Sequence, residues 1–173
     1  MDDLTGLARG AVDGDDAALA ELVRRTQHAV VGLCRVLADA ADVDDVVQEA
    51  YLRIVVALPA FRFDAPVLPW MLSITRRTCA DLVRRHQRRR RLMDQWSSHR
   101  VTRDEPPAGE DAVFDLLTPL DPDRREAFLL TQLVGLSYEE AAEVCGCPIG
   151  TIRSRVARAR AELAGAVRRS ESA

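Results

Sequence analysis

Residues 136–155 read LSYEEAAEVCGCPIGTIRSR, an order that two helices joined by a tight turn satisfy and few other folds do. Ser137 can cap a first helix, and Glu140, three residues later, completes a capping box. Ala142 is small enough to let a second helix approach. Gly146 follows four residues on, where the turn needs a residue that tolerates positive φ. Pro148 suits the start of the second helix, where its missing N–H is no loss. Ile152 can pack back onto the first helix. The second helix then carries Arg153, Ser154, Arg155, Arg158 and Arg160. A recognition helix presents contacts of this kind to base edges and phosphates in a major groove. The same spacing also allows a surface helical hairpin with a solvated basic face.

Composition narrows the surroundings of that motif. Apolar residues make up 47% of the chain and aromatics 5%, which predicts a soluble, helix-rich protein. No apolar run approaches the ~20 residues of a membrane span, and Met1-Asp2-Asp3-Leu4 lacks a signal-peptide layout. Together these predict cytoplasmic residence without membrane insertion. Cys34, Cys79, Cys145 and Cys147 form no disulfide framework. Cys145 and Cys147 flank the glycine of the turn, where they could bind a metal, sense oxidants or simply fill space. His28, His86 and His99 are scattered, and the expectation is no metal and no cofactor. No zinc-protease, phosphate-loop or nucleophile-triad pattern is present, so no enzyme is expected.

The net charge of −3 conceals a strong alternation. Every basic side chain is an arginine; there is no lysine. Residues 1–64 hold 12 acidic and 6 basic groups, and residues 76–103 hold 2 acidic and 10 basic. Residues 104–147 hold 11 acidic and 2 basic groups, and residues 148–173 hold 2 and 6. Two basic stretches set between acidic ones predict two separate contacts with a polyanion.

Apolar periodicity predicts a helix over 17–38 and another over about 42–58, capped by Asp42, with Val43, Val47, Ala50 and Ile54 as its inner stripe. Asp44, Asp45, Gln48, Glu49, Leu52 and Arg53 fall on the other face. Two prolines then bracket Phe61 and Phe63 in a loop. A third helix over about 67–91 turns Leu68, Leu72, Thr75, Cys79 and Leu82 inward and Arg76, Arg77, Arg84, Arg85 and Arg88 outward. Trp70 lies between Leu68 and Leu72 and reads as a core residue supporting the loop or as a stacking platform. Residues 92–110 lose all periodicity and read as a linker. A second block begins near Asp111, passes a turn at 119–122 with Asp121 as a cap, and ends in the helix-turn-helix, with a fraying tail after Leu163. The expected fold is all-α: two small helical domains, 1–91 and 111–173, joined by a flexible linker.

The ordered set DDVVQE (44–49), aromatic loop, WMLSITRR (70–77), DLVRR (81–85), linker and helix-turn-helix resembles the bacterial extracytoplasmic-function sigma factors of the primary-sigma family. The resemblance covers almost the whole chain, and the C-terminal half is similar to the actinobacterial sigma factor C type. It implies promoter-specific initiation with core RNA polymerase. Region 2 would correspond to 1–91 and region 4 to 111–173. It implies docking on the β′ coiled coil through Asp45, Gln48, Glu49 and Leu52, with the β flap as a second polymerase contact. It implies −10 strand capture by Phe61 and Phe63 with Arg62, Arg76, Arg77, Arg84 and Arg85. It implies −35 base reading by Arg153, Ser154 and Arg158, with Thr151 and Arg155 on phosphates, and Ala157 leaving only a methyl group where relatives carry more. Many members are restrained by an anti-sigma factor. The rival reading is a helix-turn-helix regulator that does not bind core polymerase.

Overall fold

The structure is a computed structural model that describes residues 3–93 and 111–170. Most of the expected linker, 94–110, lies outside the described residues. Eight α-helices are seen among them: α1 (Asp3–Val12), α2 (Asp16–Leu37), α3 (Val43–Ala57), α4 (Val67–Met93), α5 (Asp111–Leu117), α6 (Pro122–Phe128), α7 (Tyr138–Cys145) and α8 (Ile149–Ser170). There is no strand among the described residues.

In the N-terminal half, α2, α3 and α4 pack against one another and α1 lies across α2. Asp15 caps α2 by accepting the Ala17 and Ala18 N–H groups at 2.9 and 3.1 Å. The inner face of α2 is Leu22, Ala29, Val30, Leu33, Cys34 and Val36, spaced to follow the 3.6-residue turn. Thr26 is also inside, its hydroxyl donating to the Leu22 carbonyl at 2.8 Å. In α3 the buried residues are Val46, Ala50 and Ile54, with Val43 and Val47 only half covered. Ala50 and Ile54 are buried as expected, and Val46 takes the place expected for Val47. Asp42 precedes α3 but makes no capping hydrogen bond.

Helix α1 is absent from the sequence expectations. Leu4, Leu7 and Ala11 pack with buried Ala8 against Leu22, Ile54, Val67 and Met71. That i, i+3, i+4, i+7 pattern is visible in the sequence once one looks for it. A Cβ on Gly10 would meet the Ala18 Cβ at 3.0 Å, so a side chain there would press α1 and α2 apart by a few tenths of an ångström. Arg25 pairs with Asp3 across the same crossing.

In the C-terminal half, Asp121 caps α6 by accepting the Asp123 N–H at 3.1 Å, and Pro122 opens the helix. Arg125 donates to the Thr118 and Leu120 carbonyls that α5 and its turn leave open, at 2.6 and 2.9 Å. A widened π-type turn, Leu129–Leu133, follows α6. The capping box is present: the Glu140 N–H donates to Ser137 at 3.1 Å and the Ser137 N–H to Glu140 at 2.8 Å. It contributes about 1 kcal/mol to α7. Gly146 ends α7 at φ 64°, and the Cys147 N–H closes back on the Ala142 carbonyl at 3.1 Å. Ile152 is fully buried. The expected fraying after Leu163 is not found, because α8 runs on to Ser170. Alanines at 164 and 166 favour helix over coil.

The two halves share one apolar core. It takes Leu33, Cys34, Leu72 and Cys79 from the first and Leu129, Leu130, Val144 and Ile152 from the second. Gly32 of α2 lies against Leu129 and Phe114, and the Arg35 guanidinium rides over the Phe114 ring, 5.2 Å from its centroid. Arg76 of α4 donates to Glu126 of α6 at 2.6 Å, and the Glu126 side chain is 2% exposed. Replacing Glu126 with alanine strands a half-buried cation. We expect a loss of about 2–3 kcal/mol in denaturant unfolding, less than for a wholly buried pair because Arg76 still reaches solvent. Small-angle scattering should show an increased radius of gyration. Glu126→Gln, which keeps shape and one hydrogen bond, should lose less.

Candidate nucleic-acid and protein-docking surfaces

Three surfaces gather the side chains singled out by the sequence. The first is the outer face of α3. Asp45, Gln48 and Leu52 recur at three and four residues, which aligns them on one side of the helix. Asp45 and Gln48 are exposed, and Leu52 is 57% exposed. Glu49 is half-buried because Arg53 donates to it at 2.7 Å and to Asp81 of α4 at 2.8 Å. The stripe continues into Val55 and Val56, which is 81% exposed. These two valines were missed in the sequence. Three consecutive apolar residues such as Ile54-Val55-Val56 cannot all lie on one helix face, so a surplus of apolar surface was already implied. The face is acidic and polar at its start and aliphatic at its end.

The second surface is the 61–64 loop with α4. Phe61 stacks on Trp70, centroids 4.4 Å apart and planes 23° apart, and Phe63 leans on Phe61 at 4.9 Å and 57°. The three rings form a pile in the order Trp70, Phe61, Phe63, each of them half-buried. Phe63 has φ 57° and is the one non-glycine residue with positive φ among the described residues. For a bulky side chain this is an outlier costing about 1–2 kcal/mol. Arg9 of α1 lays its guanidinium over the Phe63 ring, 4.3 Å from the centroid. Arg62 is exposed and pairs with Asp64 at 3.0 Å.

The arginines of α4 do not form one free row. Arg77 and Arg85 are exposed. Arg84 is exposed but donates to Asp81 at 2.5 Å. Arg76 departs from the outward row the sequence predicted: it faces the other half of the molecule and is held by Glu126. Asp81, between Arg53 and Arg84, has its carboxyl held below the usual aspartate range by those hydrogen bonds, Arg53 first.

The third surface is the start of α8. Arg153, Ser154 and Arg158 are exposed on one side, while Ile152, Val156 and Ala159 are buried on the other. The Ser154 hydroxyl donates to the Thr151 carbonyl at 2.9 Å and Thr151 is half-buried. Arg155 is half-buried, paired with Asp123 and close to the Cys147 sulfur at 3.9 Å. Arg160 donates to Gln132 at 2.5 Å. Cys145 is buried behind the turn, and burial, with the Glu126 carboxylate near it, pushes its thiol up to about 12. It stays protonated at neutral pH and fills space. Cys34 and Cys79 meet at 3.9 Å between sulfurs, against about 2.05 Å in a disulfide. Among the described residues no group of three or more His, Cys, Asp or Glu side chains could hold a metal ion. No described helix is long and apolar enough to cross a membrane.

Comparison with known proteins gives these surfaces a context. Residues 22–89 match the family model described as Sigma-70 region 2, and residues 111–163 match Sigma-70, region 4. The ECF RNA polymerase sigma factor SigC of Mycobacterium tuberculosis is 41% identical over 164 residues, covering 92% of this chain and 89% of that protein. The ECF RNA polymerase sigma-E factor of Escherichia coli is 34% identical, covering 85% of each. Among solved structures, CnrH in complex with the cytosolic domain of CnrY is 31% identical with a TM-score of 0.66, over 93% of this chain and 94% of that one. The sigma factor RpoE in complex with the anti-sigma factor NepR, from Bartonella quintana, is 26% identical with a TM-score of 0.70, over 86% and 96%.

The Asp81 geometry has a pH consequence. Its folded-state pKa is depressed, so the stability it contributes is present above the ordinary carboxyl range. That contribution is lost as pH falls through the depressed folded value. Asp81→Asn should therefore lower the midpoint of urea unfolding at pH 7, by an amount that shrinks as the pH is taken down through the acid range. A deficit that does not shrink on acidification would mean the loss is one of packing and not of charge.

Proposed function

The chain belongs to the ECF sigma factors of the sigma-70 family, and we propose from that premise how its surfaces divide the work of promoter-specific initiation. It is an RNA polymerase sigma factor with regions 2 and 4. In our reading the outer face of α3 docks on the β′ coiled coil of core polymerase. The observation that carries this reading is the stripe itself: Asp45, Gln48, Leu52, Val55 and Val56 leave acidic and aliphatic surface uncovered on one helix side. A helix-turn-helix regulator that works without core polymerase has no use for it. Complementary charge would steer the encounter, and the aliphatic end would supply buried area. The C-terminal half would meet the β flap.

The loop at 61–64, backed by Trp70, is suited to catching bases of the −10 element once they leave the stack. Aromatic stacking is worth about 1–3 kcal/mol per base and tolerates any base. Arg62, Arg77, Arg84 and Arg85 supply phosphate contacts beside it. On α8, Arg153 and Arg158 can fork guanine O6 and N7 in the −35 duplex, and Ser154 sits between them. Thr151 and Arg155 suit phosphates. Arg76 and Arg155 hold carboxylates of the chain itself, Glu126 and Asp123, so either reaches DNA by exchanging one anion for another. Two solved neighbours are held by protein partners, one of them named an anti-sigma factor; an anti-sigma factor for this chain would cover these same surfaces.

In vitro transcription with core polymerase on a randomised promoter library tests the function. Enrichment of paired −35 and −10 sequences is the expected result; no transcripts above core alone would return the chain to the regulator class.

Exchanging Asp45 and Glu49 for arginine should abolish core binding in a titration while circular dichroism stays unchanged. Retained affinity would remove α3 as the dock. For α8, Arg153→Ala and Arg158→Ala should each cost about 1–3 kcal/mol of discrimination at particular −35 positions. Arg155→Ala should weaken binding to all sequences and flatten its salt dependence. Binding-site selection with each variant separates the two behaviours.

A further inference from the structure

We propose that Arg9, on α1, is a further binding residue of the strand-capture site, closing over the base that stacks on Phe63. The inference rests on the proposed role of the 61–64 loop and extends it to a residue outside the matched 22–89 span. Four observations carry it. The Arg9 guanidinium lies over the Phe63 ring, 4.3 Å from the centroid, where a stacked base would lie. The other side of the aromatic pile is closed, since Phe63 leans on Phe61 and Phe61 stacks on Trp70. Phe63 is held at φ 57°, so the ring is presented by a backbone that the surroundings impose. Among the described residues the Arg9 guanidinium meets no carboxylate, although Arg62, Arg25 and Arg53 each do.

The scaffold behind Arg9 is rigid. Ala8 is fully buried in the cluster of Leu22, Ile54 and Met71. On the other side, Gly10 touches Ala18 so closely that a Cβ would meet its Cβ at 3.0 Å. The Arg9 backbone is thus fixed by its two neighbours, while its side chain is exposed and free to lift by the thickness of a base. A planar guanidinium stacks on an aromatic face and equally on a nucleobase, and its charge lies within reach of the flanking phosphate. In the free protein it covers Phe63. With a base inserted it forms the upper layer of a sandwich whose lower layer is Phe63. That layer adds affinity for whichever base enters the slot.

The test uses holoenzyme reconstituted with core polymerase and fork-junction DNA carrying a −10 sequence recovered from the promoter library. Each unpaired position is replaced in turn by an abasic site, and affinity is measured for the wild type, Arg9→Gln and Phe63→Ala. The expected result is a roughly five- to thirtyfold weaker complex for Arg9→Gln on intact DNA. Expected with it is loss of the abasic penalty at one position, the same one at which Phe63→Ala loses it. Arg9→Lys should restore phosphate attraction but not the abasic penalty at that position. Duplex −35 binding and core affinity should be unchanged by Arg9→Gln, and the thermal midpoint should fall only slightly, as for the loss of one exposed cation–π contact; a purely structural cap would not produce the loss confined to one position. If Phe63→Ala couples to one position and Arg9→Gln to none, the Arg9 role is overturned and the loop reading stands. If neither couples, both are overturned.

Discussion

A carboxylate that is 2% exposed needs a cation, and Glu126 takes its cation from the other half of the chain. The dehydration of that carboxylate is offset by Arg76, so the ion pair holds only while α4 and α6 stay together. The apolar seam around it, Leu72 and Cys79 against Leu130, Val144 and Ile152, excludes water and strengthens the pair in turn. The arrangement couples two events that would otherwise be independent. Parting the halves exposes the seam and frees Arg76 at one stroke.

Much of this was legible in the chain. The helix-turn-helix was readable because Ser137, Glu140, Gly146 and Ile152 each meet a local geometric demand, and local demands are what sequence periodicity reports. The outer face of α3 was readable for the same reason. Val46 slipped by because several valines follow one another and periodicity cannot choose among them. Arg76 was misplaced for a different reason. It borders the buried stripe of Leu72, Thr75 and Cys79, and what covers it is contributed by α6, 50 residues later. Nothing within α4 announces a partner at that separation. Arg9 went unnoticed because α1 was not expected and because its partner is a ring, not a charge.

The arginine-only composition affects each surface differently. Arg53 bridges Glu49 and Asp81 and ties α3 to α4, a role suited to a planar fork with several donors. Arg84 and Arg62 are occupied by neighbouring aspartates, Asp81 and Asp64. Arg153 and Arg158 stay exposed at the start of α8. The same side chain thus serves as strut or as counter-ion, or stays exposed to solvent, and its neighbours determine which.

Gly32 sits where α2 meets Phe114 and Leu129, and a Cβ there would lie 3.5 Å from the first and 3.4 Å from the second. A methyl group fits that gap without rearrangement; a longer side chain would act as a wedge. The depth to which the halves close is therefore set at a position that touches neither the α3 stripe nor the α8 arginines. A side chain larger than a methyl group here would strain the shared core without changing a residue of the α3 stripe or of the α8 face.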